Sequence, residues 1–306
     1  MKILKFLMFF VLACSCHAAV LSADSAQAIL KEFSISASDQ NIQTLNSIAS
    51  DIDENDVKLF RHIVTEQFQY AKMIMREIES NNSPEFMLYL AMVESNLQNG
   101  AVSPKSASGV WQFMPSTARV HGLKINDFVD ERRDPFASTF AAHRYLKTMQ
   151  DGFGKWYVTL MAYNCGDGRM RKAIRDLGTD DFSFLLSSNK FPKETKNFIQ
   201  KIIKFAIIAR TDEMQQRLNS SVNYTELAKI PVPASTTLEN ISAELGVSVA
   251  DMKFYNPHIN KGVAPNHEYY FYVPSQKAEM FAEVGKFGPG SKIVATNEKA
   301  KGVAIP

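Results

Sequence analysis

The sequence predicts a mainly α protein that carries a small α+β module near its C-terminal end. Across residues 56–82, apolar side chains recur every three or four positions, which is typical of one buried helix face. No alternating pattern typical of a strand occurs before about residue 225. Beyond Pro231 and Pro233 the elements become short, and residues 268–274 have the aromatic and β-branched composition of a strand.

Start signals divide the first part of the chain into further helices. Ser83 with Pro84, and Asp134 with Pro135, each have the residue types of an N-cap followed by a first helical residue. Residues 86–93 are apolar on every side, so periodicity alone does not separate a buried strand from a buried helix, and the Ser-Pro start favours a helix. Further helices are expected near 156–164, 169–176 and 193–210.

Composition and charge exclude some classes of protein. Hydrophobic residues make up 45% of the 306 residues, which is enough for a sizeable core. The 34 Lys and Arg residues against 32 Asp and Glu give a net charge of +2 with no dense basic stripe, so nucleic-acid binding is not expected. The six His residues do not pair at metal-ligand spacing, and no metal or other cofactor is expected.

The first nineteen residues have the pattern of an export signal. Lys2 and Lys5 precede an apolar run at 6–13, which is too short to span a bilayer and is followed by small residues up to Ala19. Two maturation routes are compatible with this leader. Cleavage near Ala19 gives a free periplasmic chain, whereas the lipobox-like residues ending at Cys14 would give a lipid anchor to the outer membrane.

One carboxylate follows the apolar run directly. On a helix, Glu94 lies at the flank of a stripe formed by Phe86, Leu90, Val93 and Leu97. Partial burial disfavours the charged form, so the pKa of Glu94 is expected to rise toward the value that a general acid needs. The alternative is a glutamate at a helix end that turns into solvent.

An ordered series of short motifs begins at this glutamate. The series resembles the soluble lytic transglycosylase (SLT) domain of bacterial cell-wall enzymes, and within that family the membrane-bound lytic murein transglycosylase D type. The likeness covers roughly residues 60–215. The motifs are Glu94-Ser95, Ser103, GVWQFMPSTA at 109–118, DERRDP at 130–135, AYNCG at 162–166 and FPKETK at 191–196.

The resemblance implies a goose-type lysozyme-like helical domain that cleaves the β-1,4 bond between N-acetylmuramic acid and N-acetylglucosamine, leaving 1,6-anhydro ends. It implies that Glu94 is the catalytic acid and that peptidoglycan glycan strands are the partner. The implied substrate-binding residues fall into four groups: Ser103 near the N-acetyl group, Gln112 and Met114 in the sugar-binding wall, Tyr163 and Asn164 beside the glutamate, and Glu194 on the substrate or bracing the cleft.

Several of these residues have ordinary structural explanations as well. Met114 could belong to core packing, and Trp111 could be a buried anchor or a platform for a sugar face. Asn164 could be only a hydrogen-bonding residue at a helix end. Glu194 is also a suitable acid for the first turn of a helix.

The C-terminal module resembles a degenerate LysM domain, the small βααβ fold that binds N-acetylglucosamine chains. The usual Gly-Asp-Thr-Leu opening is replaced by Ala-Ser-Thr-Thr-Leu at 234–238, so the module either binds glycan or only packs against the catalytic domain. The predicted organisation is a signal peptide at 1–19, an N-terminal helical segment at 20–59, the SLT domain at 60–215, the module at 229–276 and a flexible tail at 277–306.

The sequence is compatible with three functions. The first is a peptidoglycan lytic transglycosylase, and the second is a hydrolytic lysozyme-like muramidase. Hydrolysis usually needs a second carboxylate, for which Asp127, Asp130 and Asp134 are candidates. The third is a peptidoglycan-binding protein without catalytic activity, which the presence of Glu94, Ser103 and Tyr163 disfavours.

Overall fold

The computed structural model describes residues 21–278 and the two-residue strand 294–295. Residues 21–220 contain twelve α-helices and one 3-10 helix, Glu131–Arg133, and the predicted mainly α class is confirmed. The helices are α1 Ala23–Glu32, α2 Asp39–Ser50, α3 Glu54–Glu66, α4 Phe68–Ser80, α5 Phe86–Ser95, α6 Pro115–Val120, α7 Pro135–Phe153, α8 Trp156–Cys165, α9 Asp167–Leu177, α10 Phe182–Ser187, α11 Lys193–Ala209 and α12 Asp212–Asn219.

Helix α5 lies in the middle of the helical core. Every residue from Phe86 to Met92 is buried, and the helix packs against α4 and α11. A helix without a polar face is stable only when neighbours surround it, which explains its unbroken apolar sequence. The predicted helix is therefore confirmed, and its last turn brings Glu94 to the edge of the core.

Two helix boundaries differ from the prediction. The expected single helix over 56–82 is two helices, because the backbone leaves helical geometry at Gln67. The two helices also pack on different neighbours: α3 packs on α11 and α12, whereas α4 packs on α5 and α7. The Ser83–Pro84 start is also wrong, since α5 begins at Phe86. The Phe86 amide donates to the Glu32 carboxylate at 2.9 Å, so α1 satisfies the start of α5.

The second start signal is confirmed. The Asp134 carboxylate accepts hydrogen bonds from the amides of Phe136 and Ala137 at 2.9 and 3.0 Å, which caps α7. The predicted helices near 156–164, 169–176 and 193–210 correspond to α8, α9 and α11.

The C-terminal module has the predicted strand-helix-helix-strand order. Its elements are β1 Leu227–Val232, α13 Leu238–Leu245, α14 Val249–Tyr255 and β2 Tyr269–Pro274, and β1 pairs antiparallel with β2. A further strand, β3 Val294–Ala295, pairs antiparallel with the other edge of β1. The predicted tail at 277–306 otherwise lies largely outside the described residues, and the proposed domain boundaries stay predictions.

The module packs directly on the helical domain. A shared cluster joins Tyr70 and Met73 of α4 and Phe136 of α7 to Leu227, Tyr255 and Tyr272 of the module. Val129, which precedes α7, is buried in the module's own hydrophobic cluster. The two parts therefore share core residues as well as a surface.

The signal-peptide and lipobox predictions, including Cys14, lie outside the described residues. Among the described helices, none combines the length and the apolar character needed to cross a lipid bilayer.

Candidate active site

Glu94 occupies the last turn of α5, where the buried helix reaches the surface. Its side chain is half-buried, and burial raises its pKa from the ordinary value of 4.5 to about 8. This is the direction expected from its place beside the apolar stripe. At neutral pH such a carboxyl group carries the proton that a general acid must give up.

The end of α5 is held by a sharp change in backbone direction. Asn96 and Leu97 both adopt left-handed conformations, with φ of 51° and 57°, and neither is glycine. Residues held in this region cluster at functional sites, because the surrounding structure must compensate for the strain. The Ser95 hydroxyl donates to the Val110 carbonyl at 2.9 Å, which fixes the helix end to the loop opposite.

That loop, residues 101–113, carries two of the predicted sugar-binding residues. The Ser103 hydroxyl accepts a hydrogen bond from the Ala107 amide at 3.0 Å. The Gln112 side-chain amide donates to the carbonyls of Ala101 and Gly109 at 3.2 and 2.9 Å, so it closes the loop on itself. Met114 follows the loop with 41% of its surface exposed, which excludes the core-packing interpretation; its place in a sugar-binding wall stays a prediction.

Gly109 is required at its position in this loop. Its φ is +79°, and a Cβ atom there would lie 1.9 Å from the carbonyl oxygen of Arg132. A side chain therefore cannot be accommodated without moving one of the two backbones. The close approach places the loop directly on the segment before α7.

Tyr163 joins helix α8 to the loop beside Glu94. Its hydroxyl donates to the Trp111 carbonyl at 2.6 Å. Burial, together with the nearby Glu94, raises the pKa of Tyr163 well above its ordinary value, so the phenol remains protonated as a donor. Its ring also packs on Tyr145 with 5.5 Å between ring centroids.

Trp111 is a buried anchor, and the alternative of a sugar-stacking platform is wrong. The side chain is fully buried, and its indole N–H donates to the Thr139 hydroxyl at 3.0 Å. This hydrogen bond ties the loop to α7. Thr139 was not predicted as a functional residue, because only the folded structure brings the two side chains together.

Asn164 follows Tyr163 and is oriented from α11. Its side-chain oxygen accepts a hydrogen bond from the buried Thr195 hydroxyl at 2.8 Å. Glu194, one residue earlier, is exposed in the first turn of α11, where its negative charge interacts favourably with the helix dipole. The structure therefore brings Glu94 together with Tyr163 and the loop, and it places Glu194 at the surface.

Two of the three candidate second carboxylates already have structural partners. Asp130 forms an ion pair with Arg132 at 2.7 Å, and Asp134 is completely buried at the start of α7. Asp127 is exposed in the preceding turn. Within residues 21–278, no cluster of three His, Cys, Asp or Glu side chains is arranged to hold a metal ion.

Two protein-family models match this chain. Residues 72–184 match the family model of the transglycosylase SLT domain, and residues 226–286 match that of the lytic transglycosylase MltD, LysM-like domain. The chain carries an SLT domain followed by an MltD-type LysM-like domain. The SLT match includes Glu94, the loop and Tyr163, and the resemblance inferred from the motifs is confirmed.

Two curated relatives are similar to part of this chain. The membrane-bound lytic murein transglycosylase D of Escherichia coli K12 is 30% identical over 230 residues, which is 74% of this chain and 51% of that protein. A putative tributyltin chloride resistance protein of Alteromonas is 34% identical over 109 residues, 35% of this chain and 53% of that protein. The chain therefore spans about half the length of these relatives.

Among solved structures, the 70 kDa soluble lytic transglycosylase SLT70 from Escherichia coli is similar with a TM-score of 0.43 and 20% identity. The similarity covers 65% of this chain and 32% of that one.

Proposed function

We propose that this SLT-domain protein is a peptidoglycan lytic transglycosylase. It would cleave the β-1,4 bond between N-acetylmuramic acid and N-acetylglucosamine and leave 1,6-anhydro-muramyl ends, in cell-wall remodelling or turnover. The observation that carries the proposal is the half-buried Glu94, whose pKa of about 8 leaves it protonated beside Tyr163 and the loop.

Glu94 supplies both proton transfers in this reaction. With a pKa of about 8, about nine-tenths of the carboxyl groups are protonated at pH 7. Glu94 donates this proton to the glycosidic oxygen as the bond to the muramyl sugar breaks, and the N-acetyl group of that sugar stabilises the oxocarbenium-like centre. The resulting carboxylate accepts the proton of the C6 hydroxyl as that oxygen closes the anhydro ring.

The neighbouring side chains position the glycan. We assign Ser103, Gln112 and Met114 to the wall that binds the sugars, because the first two lie on the loop anchored to the end of α5 and Met114 follows it directly. We also assign Tyr163 and Asn164, in the last turn of α8, to the substrate cleft beside Glu94. Glu194, exposed in the first turn of α11, is assigned to contact the substrate or to brace the cleft.

Hydrolysis is the second candidate, and the carboxylates disfavour it. A hydrolytic muramidase usually positions water with a second carboxylate. Asp134 is buried and Asp130 is paired with Arg132, so of the three candidates only the exposed Asp127 is left to activate water. A single acid with an intramolecular nucleophile matches the observed set of residues better.

The proposal extends to export. The basic and apolar leader at 1–19 supports transfer to the periplasm, where peptidoglycan lies, with either a free N-terminus near residue 20 or a lipidated Cys14. The relative from Escherichia coli is itself named as membrane-bound. Mass spectrometry of the mature N-terminus separates the two routes.

Product analysis tests the reaction. The purified chain is incubated with peptidoglycan, and soluble fragments are identified by mass spectrometry, with Glu94→Gln as the inactive control. Anhydro-muramyl ends, lighter than reducing ends by one water, support transglycosylation. Reducing ends would establish hydrolysis, and the absence of any Glu94-dependent cleavage would leave a binding protein.

A further inference from the structure

Strand β2 of the LysM-like domain presents three tyrosine hydroxyls to carboxylates of the SLT domain. Tyr269 donates to Glu131 at 2.5 Å. Tyr270 donates to Asp134 at 2.7 Å, and Tyr272 contacts both oxygens of the same carboxylate at 3.2 Å. Burial and the charge of Asp134 raise the pKa of Tyr272 well above its ordinary value, so this phenol stays a hydrogen-bond donor.

The backbone of the two domains is joined at the same place. The Asp130 amide donates to the His258 carbonyl at 2.9 Å, and the Asn260 amide donates to the Phe128 carbonyl at 2.8 Å. Asp134 and His258 are completely buried at this contact. We call residues 130–134 the brace segment, since the LysM-like domain holds it through side chains and backbone together.

The brace segment in turn holds the loop at 101–113. The Arg132 guanidinium donates to the carbonyls of Ser106 and Phe113 at 2.6 and 3.1 Å while Asp130 orients it. The Arg132 carbonyl lies against Gly109, where only a hydrogen atom fits. The Asn99 amide also donates to the Arg133 carbonyl.

A continuous set of contacts therefore links β2, through the brace segment, to the loop at 101–113 beside Glu94. We propose that the LysM-like domain positions the active-site loop through the brace segment, with Tyr269, Tyr270 and Tyr272 as positioning residues. The catalytic part of this inference rests on the proposed function, but the mechanical part does not. It assigns to the domain a task in the reaction that is separate from any binding of glycan.

The test uses the full chain with Tyr270→Phe and Tyr272→Phe combined. Tyr255→Phe is the matched control, because it removes a tyrosine hydroxyl from the same shared cluster. Among the described residues, the tyrosine hydroxyls bonded to Glu131 and Asp134 come from β2 and not from Tyr255. Hydrogen exchange is measured at the loop amides of Ala107 and Phe113, whose bonds close the loop. We expect exchange there to accelerate about ten-fold in the double variant and to stay unchanged in the control.

Kinetics on soluble glycan strands provide the second readout. We expect kcat/KM to fall about ten-fold, with kcat lowered and KM raised, because the misplaced loop carries Ser103 and Gln112 as well as lying beside Glu94. The alkaline limb of the pH profile should move to lower pH. A loosened loop lets water reach Glu94, which stabilises the charged carboxylate and lowers its pKa. A purely structural loss of folded protein would scale the whole profile without moving it.

The outcomes separate the two proposals. Unchanged exchange at the loop, or unchanged kcat and pH profile with only sedimentation on insoluble peptidoglycan lost, would overturn the positioning role. If the wild-type chain cleaves no peptidoglycan, the proposed function fails, and hydrogen exchange still decides the mechanical link. Should the double variant not fold, Tyr269→Phe removes the single bond to Glu131 and is measured in the same way.

Discussion

Replacing Glu94 with Gln should abolish cleavage and at the same time change how stability depends on pH. In the wild-type chain the folded-state pKa is about 8 against an ordinary 4.5, so the folded state holds the proton more tightly than the unfolded chain. The stability that this proton contributes is complete below pH 4.5 and is lost as the pH rises through 8. The full difference corresponds to at most about 5 kcal/mol.

The half-buried position of Glu94 reduces this value. Water still reaches part of the carboxyl group, and solvent screening leaves about 2–3 kcal/mol between pH 5 and pH 9. Glutamine has nearly the same shape as the protonated acid and does not ionise. The variant should therefore match the wild type in stability at pH 5 and exceed it by about 2–3 kcal/mol at pH 9.

Urea unfolding at both pH values and release of soluble muropeptides measure the two effects. Cleavage should fall by about 10²–10⁴-fold, the usual contribution of a general acid. Glu66→Gln, at the exposed end of α3, controls for the loss of a negative charge. Stability curves that run parallel for Glu94→Gln and the wild type would show that the pKa is not raised. Undiminished cleavage would remove Glu94 from the reaction.

Three further substitutions test the supports of the site. Gly109→Ala should lower the free energy of unfolding, measured by urea denaturation, by about 3 kcal/mol or more, since its Cβ would lie 1.9 Å from a backbone carbonyl oxygen. Its control is Gly178→Ala, which has open space around a φ of +68° and should lower the free energy of unfolding by about 1–2 kcal/mol. Thr139→Val leaves the buried indole N–H of the loop without an acceptor and should cost about 1–3 kcal/mol by the same assay, against a near-neutral Thr148→Val on the same helix. Burial lowers the pKa of His258 from 6.5 to about 4, so the unfolded chain binds more protons than the folded chain between these pH values. The free energy of unfolding of the wild type should therefore drop by up to about 3 kcal/mol as the pH falls from 6.5 to 4. His258→Gln should lack this dependence of stability on pH.

Periodicity and residue type are sufficient to predict most helices and the buried setting of Glu94. The apolar residues before Glu94 predict a buried helix with a carboxyl at its edge, and the structure contains both. Asp134 with Pro135 predicts the start of α7 because an N-cap is a local interaction. Local signals of this kind can be interpreted without knowing which elements are neighbours in space.

The remaining features depend on contacts between distant segments. The break at Gln67 cannot be predicted from a stripe that continues through it, because it arises from the different neighbours of α3 and α4. The start of α5 depends on Glu32 from another helix. The tie between Trp111 and Thr139 and the tyrosines on Asp134 have no local signature, since each partner is an ordinary residue in its own segment.

The tyrosine contacts on Asp134 also have a consequence for biosynthesis. The Tyr270 hydroxyl lies 136 positions after its carboxylate partner, so the ribosome completes the helical domain well before the group that covers it exists. Contacts of such long sequence separation form late in folding. A nascent or clipped chain that ends before β1 would thus contain Glu94 but lack the contacts that support the loop, and under the proposed function full cleavage of peptidoglycan would be delayed until the last quarter of the polypeptide had been made.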